Sequence, residues 1–93
     1  VDLTFESSKS TTESEINSYI ENASLSDLKG ILGFTKEKLV SMDFNHDPHS
    51  SIFAADQTKV LQNNMVRVLS WYDNEWGFSN RMSDTALEMA KFL

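Results

Sequence analysis

The residues Ser70-Trp71-Tyr72-Asp73-Asn74-Glu75-Trp76-Gly77-Phe78-Ser79-Asn80-Arg81 hold both tryptophans of the chain together with two other aromatics, amides and a glycine. Asn74 is the residue there best suited to recognition. Its short carboxamide offers one acceptor and two donors, enough to hold another carboxamide in one orientation. The alternative is a turn asparagine bonded to its own backbone. Asp43, His46, Asp47 and His49 form a second cluster around Pro48. Proline excludes the helical presentation that paired histidine ligands use, so a turn with solvated or hydrogen-bonded imidazoles is expected rather than a metal centre. Arg67 and Arg81 are single cations, which are usually paired with carboxylates, and no phosphate site is assigned to them. Ser50 and Ser51 lack a histidine and acid arranged to activate a nucleophile and read as strand-edge residues. Trp71, Tyr72 and Trp76 read as core or subunit contacts, since aromatics bury large areas and nothing in their spacing asks for a ligand.

Positioning these groups requires a strand that ends at Asp73-Asn74 and a helix that starts near Gly77. Met65 to Tyr72 supplies the strand, preceded by the turn-prone Gln62-Asn63-Asn64. Phe78, Met82, Ala86, Met89, Ala90 and Leu93 recur every three or four residues and predict an amphipathic helix. At the other end, Val1, Leu3 and Phe5 alternate with polar residues and predict a first strand. Thr12-Glu13-Ser14-Glu15 has the spacing of a capping box, and Ile16, Tyr19, Ile20 and Ala23 follow as the core stripe of a helix. Val40, Met42 and Phe44, separated by Ser41 and Asp43, predict another strand, and Ser51-Ile52-Phe53-Ala54 a further one. The fold class is therefore α+β, an antiparallel or mixed sheet covered by two helices.

Composition narrows the function. The 93 residues suffice for one core. Fourteen acidic against eight basic residues give a net charge of −6, which opposes a phosphate backbone and argues against nucleic-acid partners. No apolar run is long enough to span a bilayer and no signal-peptide pattern occurs, so no membrane association is expected. Cysteine is absent, which suits a reducing compartment. Glycine occurs only at 30, 33 and 77, which leaves no phosphate-cradling fingerprint. Val1 already lies in the strand pattern, as expected of a piece of a longer polypeptide.

Four segments, Val1-Asp2-Leu3-Thr4, Leu28-Lys29-Gly30-Ile31-Leu32-Gly33-Phe34-Thr35, Met42-Asp43-Phe44-Asn45-His46-Asp47-Pro48-His49-Ser50-Ser51 and the Ser70–Arg81 run, stand in an order and spacing that closely resemble phosphorylating glyceraldehyde-3-phosphate dehydrogenases. The resemblance covers nearly all of residues 1–93 and is to the C-terminal part of the catalytic domain. It implies an oxidoreductase that uses NAD or NADP, acts on a sugar-phosphate aldehyde through a cysteine thiohemiacetal, and works in the cytoplasm as a homotetramer. Phe44–Ser50 and Asn74–Phe78 look especially like the erythrose-4-phosphate dehydrogenase branch.

By the resemblance Asn74 is the nicotinamide-binding asparagine. Phe78 stands where most relatives carry tyrosine, so an aromatic wall beside the cofactor carries over and the hydroxyl does not. The family's nucleophilic cysteine, its histidine, its main anion-binding arginine and its nucleotide-binding half have no counterparts here. No residue of the chain is assigned a catalytic or metal-binding role, and the chain by itself is expected to be inactive. The competing reading is a self-standing interaction or assembly module that keeps the fold without the chemistry.

Overall fold

In a computed structural model describing all 93 residues, the alternating apolar start forms strand β1 (Asp2–Glu6), and the chain then turns into helix α1 (Glu13–Leu25). Thr12 caps the helix, its hydroxyl accepting the Glu15 N–H at 3.2 Å. The reciprocal half of the expected box is replaced by a 3.4 Å bond from the Thr11 hydroxyl to the Glu15 carboxylate. Ile16 and Ile20 face Leu3, Phe5, Leu32 and Phe53 across an apolar recess of about 310 Å³ between helix and sheet. Tyr19, expected in that core stripe, is 69% exposed. It lies about 60° around the helix from Ile16, on the side away from Ile20, and there the helix faces solvent.

Strands β2 (Leu32–Thr35), β3 (Ser51–Ala54), β4 (Lys59–Leu61) and β5 (Met65–Trp71) complete a sheet of order β1-β5-β3-β2, with β4 also on β5. The long strand β5 organises it. One edge pairs antiparallel with β1, from Asp2 opposite Leu69 to Glu6 opposite Met65. The other edge takes β4 along its first half and β3 along its second, with Val60 opposite Val66 and Phe53 opposite Ser70. A 3₁₀ turn at Ala55–Gln57 carries the chain from β3 to β4. Gln62 and Asn63, both at positive φ (52° and 65°), close the β4–β5 hairpin, a conformation that asparagine tolerates better than most residues. Strands β2 and β3 run parallel, so the sheet is mixed.

The expected strand through Val40–Phe44 is instead a 3₁₀ turn, Ser41–Phe44. Asp43 explains the difference. Its carboxylate accepts the Val40 N–H at 2.8 Å and its own N–H reaches the Val40 carbonyl at 3.0 Å, so local bonds take the place of a ladder. Val40 and Met42 are exposed, and only Phe44 is buried. It stacks on Trp71, with centroids 5.5 Å apart and planes within 12°. Strands β2 and β4 are elements the periodicity does not predict.

The core is built from β3, the turn after it and β5: Ile52, Phe53, Ala54, Ala55 and Val66 are buried, as is Phe44 against Trp71. Val66 is fully enclosed, a burial that stabilises the fold by roughly 1.5–3 kcal/mol. Asn17 ties α1 to the turn after β3, its Nδ2 donating to the Ala55 carbonyl at 3.2 Å while its Oδ1 accepts the buried Thr58 hydroxyl at 2.7 Å. Helix α2 (Trp76–Ala90) begins directly after β5. Its first turn rests on the His49–Ser50 backbone through Gly77, and its later turns leave Met82, Leu87 and Met89 exposed.

Candidate functional site

The turn between β5 and α2 is held by a small set of specific bonds. Asn74 takes a positive φ of 31°, a region asparagine visits more readily than most side-chain-bearing residues, and this bends the strand into the helix. The Trp76 N–H reaches back to the Asp73 carbonyl at 2.8 Å and the Ser79 N–H to the Glu75 carbonyl at 2.8 Å, so the turn passes straight into the helical ladder.

Across from it lies a second sharp bend at His46, φ 64°. The two are locked together through the backbone of His46. The Asp73 carboxylate accepts the His46 N–H at 2.8 Å, and the Trp76 indole N–H donates to the His46 carbonyl at 3.1 Å. The His46 ring lies over the Trp76 ring with centroids 5.8 Å apart. One residue is thus gripped at its N–H, its carbonyl and its ring by two side chains that flank Asn74.

Asn45, His46, Asp73, Asn74, Trp76 and Ser79 line the resulting polar recess of about 330 Å³. Asn74 is exposed there, and its carboxamide makes no hydrogen bond within the chain. The bond to its own backbone that a purely structural turn asparagine would make is not formed. The two donors and one acceptor of Asn74 are left open to solvent at the recess.

The other candidate residues go elsewhere. Phe78 lies on a separate recess of about 360 Å³ with Arg81, Met82, Thr85 and Met89, and is 66% exposed. The structure does not bring it into the recess of Asn74. The ring of His49 meets Asp47 Oδ1 through Nδ1 at 2.6 Å, and the same oxygen accepts the His49 N–H at 3.0 Å, so Asp47 folds the Pro48 turn onto itself. No three His, Asp or Glu side chains converge as metal ligands would.

Both arginines are engaged with the chain itself. Arg67 forms a two-pronged pair with Asp2 across β5 and β1, Nε to Oδ1 and Nη2 to Oδ2 each at 2.9 Å, while Nη1 reaches the Gln57 carbonyl at 3.0 Å. The Arg67 hydrogen bonds hold the Asp2 carboxyl below its usual range, and the same bonds raise the Arg67 guanidinium. Arg81 spans from α2 to the start of β2 and β3, its Nη1 lying 3.3 Å from both the Gly30 carbonyl and Ser50 Oγ, with Nε 2.9 Å from Asp84.

Sequence reasoning singled out Asn74 but not its supports, Asp73, Trp76 and the His46 peptide. The crowding of Asp73 and Trp76 around Asn74 was the available signal for two of them. His46 contributes through backbone atoms, which its side-chain type does not report.

Residues 1–74 match the family described as glyceraldehyde 3-phosphate dehydrogenase, C-terminal domain. The whole chain is 63% identical over 93 residues to a glyceraldehyde-3-phosphate dehydrogenase of Cereibacter sphaeroides, covering 28% of that protein. It is 60% identical over 91 residues to one of Xanthobacter flavus, covering 98% of this chain and 27% of the relative. It is 54% identical over 94 residues to one of Zymomonas mobilis, again covering 28% of the relative. The chain thus spans little more than a quarter of the length of the curated relatives it matches.

Proposed function

The chain belongs to the glyceraldehyde 3-phosphate dehydrogenase family, and on that premise we propose that it is the C-terminal portion of the catalytic domain of a dehydrogenase that oxidises a sugar-phosphate aldehyde. In that reading residues 1–93 form one structural unit, the nucleophilic cysteine and the nucleotide-binding half lie in other parts of the enzyme, and the unit alone is inactive. The three-carbon aldehyde is favoured over the four-carbon one because the similar proteins carry the name glyceraldehyde-3-phosphate dehydrogenase. A cytoplasmic homotetramer is part of the same proposal. No helix is long and apolar enough to cross a membrane.

One observation carries the assignment of a role to this segment: the Asn74 carboxamide stands unbonded at the end of β5, in a polar recess, on a turn braced from two sides. Such a group fits the carboxamide of a nicotinamide. NAD or NADP, when bound, supplies the hydride acceptor. Asn74 is proposed to hold the ring in one rotational setting, which decides the face presented to the substrate. Phe78, on its separate recess, is proposed from the family resemblance alone as an aromatic wall beside the cofactor in the full enzyme, contributing packing and no hydroxyl.

The test is Asn74→Ala in the full-length enzyme. Loss of a net hydrogen bond worth about 1–1.5 kcal/mol raises KM for NAD roughly five- to tenfold. Hydride transfer to NAD deuterated at C4 also loses part of its facial selectivity. An unchanged KM together with unchanged selectivity would remove Asn74 from the cofactor site. Parallel assays with glyceraldehyde 3-phosphate and erythrose 4-phosphate assign the substrate, and equal or better turnover of the latter would overturn the three-carbon choice.

A further inference from the structure

Asn74 sits between two side chains that are occupied with another part of the chain, and this arrangement is more specific than a turn requires. A strand-to-helix turn needs only its own backbone bonds, which Asp73 and Trp76 already supply through main-chain atoms. Their side chains instead reach 27 and 30 residues back to the backbone N–H and carbonyl of one residue, His46. His46 itself sits in the left-handed region and is part of the same recess wall.

A carboxamide selects one face of a planar ring only while its own Cα–Cβ vector is fixed. Residues 73 and 76 bracket Asn74, so restraining their side chains against a common external point restrains the intervening backbone in rotation as well as translation. The common point is itself anchored. Asn45–Asp47 follow the buried Phe44, which stacks on Trp71 two residues before Asp73. The Asp47–His49 bonds then close the loop on its far side. The chain from Phe44 to His49 and the chain from Trp71 to Gly77 are therefore fastened at three levels: ring on ring at 44 and 71, carboxylate and indole on the His46 peptide, and Gly77 against the His49 carbonyl.

We propose that Asp73 and Trp76, by gripping the His46 peptide, are positioning residues that set the orientation of the Asn74 carboxamide and so the face of the nicotinamide it presents. The inference rests on the role proposed above for Asn74. Neither Asp73 nor Trp76 needs to touch the cofactor. Each acts through the peptide it holds, and the identity of the side chain at 46 matters less than the position of its backbone.

The experiment uses the full-length enzyme with four substitutions. Asp73→Ala removes the acceptor for the His46 N–H, whereas Asp73→Asn keeps an acceptor oxygen in place. Trp76→Phe keeps a ring against His46 and removes only the donor to its carbonyl. Asn74→Ala serves as the reference.

The expected result is that Asp73→Ala raises KM for NAD roughly tenfold, the equivalent of one hydrogen bond to a charged group, with KM for the aldehyde unchanged. It also releases minor-face hydride transfer to C4-deuterated NAD. Asp73→Asn restores most of both, and Trp76→Phe gives a smaller change in the same two readouts.

Asp73→Ala and Trp76→Phe with wild-type facial selectivity, while Asn74→Ala has lost it, would overturn the clamp and leave the role of Asn74 standing. Unchanged selectivity in Asn74→Ala itself would instead overturn the reading on which the clamp rests. If Asp73→Ala does not fold, Trp76→Phe carries the test. Selectivity lost in Trp76→Phe supports the clamp, and selectivity retained there refutes it.

Discussion

Replacing Gly77 by alanine should loosen the junction that sets the Asn74 turn. A Cβ built at Gly77 lies 2.6 Å from the His49 carbonyl oxygen and 3.2 Å from Ser50 Cα. Ordinary contact begins near 3.4 Å, so α2 and the start of β3 must separate by about 0.8 Å at this point. Neither obstacle is the end of a side chain that can rotate away. Both belong to backbone fixed by β3 and by the Asp47–His49 bonds. Overpacking of this kind costs about 1–3 kcal/mol. Against it stands the gain of roughly 0.5–1 kcal/mol that alanine brings over glycine in a helix. The net is a destabilisation of about 1 kcal/mol, at most about 2.5 kcal/mol.

The internal control is Gly33→Ala. There the nearest atoms are Ile52 Cγ1 at 3.1 Å and His49 Cγ at 3.3 Å, side-chain atoms that can give by a few tenths of an ångström. Its expected cost is below about 1 kcal/mol. Urea unfolding of the two variants beside the parent, read by tryptophan fluorescence, measures the difference, because Trp71 and Trp76 flank the perturbed junction. A Gly77→Ala protein as stable as the parent, or less perturbed than Gly33→Ala, would refute the argument that backbone contact at this glycine fixes the helix.

Two further outcomes follow from particular bonds. Thr58→Val keeps the shape of a side chain only 2% exposed but withdraws the hydroxyl from Asn17 Oδ1. The expected loss is about 1–2 kcal/mol, read as a lower urea midpoint at unchanged slope, whereas Thr58→Ser retains the bond and most of the stability. The Asp2 carboxyl is held below its usual range by Arg67, so its contribution is fully present above the unfolded-state value of about 3.9 and is lost as pH falls through the lower folded-state value. Asp2→Asn should therefore lose that contribution at neutral pH and flatten the acid side of the stability profile below about pH 4, where variant and parent converge. An unaltered acid slope would show that the pair is not what titrates there.

Much of the fold could be read from residue order because local rules governed it. The alternation of Val1, Leu3 and Phe5, the Thr12 cap, the Gln62–Asn64 turn and the periodicity after Gly77 all correspond to observed elements. Each of these signals lies within a few residues of the structure it specifies. Strand β2, at one end of the sheet path, and β4, off that path, were not marked by periodicity in this way. Leu32–Thr35 becomes a strand only by lying parallel to β3 across a connection of more than a dozen residues, and Lys59–Leu61 only by folding back on β5.

Val40–Phe44 shows the converse. Its alternation was genuine, but a period of two buries nothing unless a neighbour is present, and Asp43 supplied the backbone with local bonds instead. Tyr19 had helical spacing with its neighbours and still faced water, because the breadth of a buried stripe depends on the surface opposite it.

At the site, residue type alone determined that Asn74 can present a free carboxamide at a strand end. What tertiary structure decided is that this carboxamide is left unbonded on a turn whose two flanking side chains are anchored elsewhere. The grip on it comes from a backbone peptide nearly thirty residues away, and every residue carries a peptide, so no side-chain pattern could have marked that one.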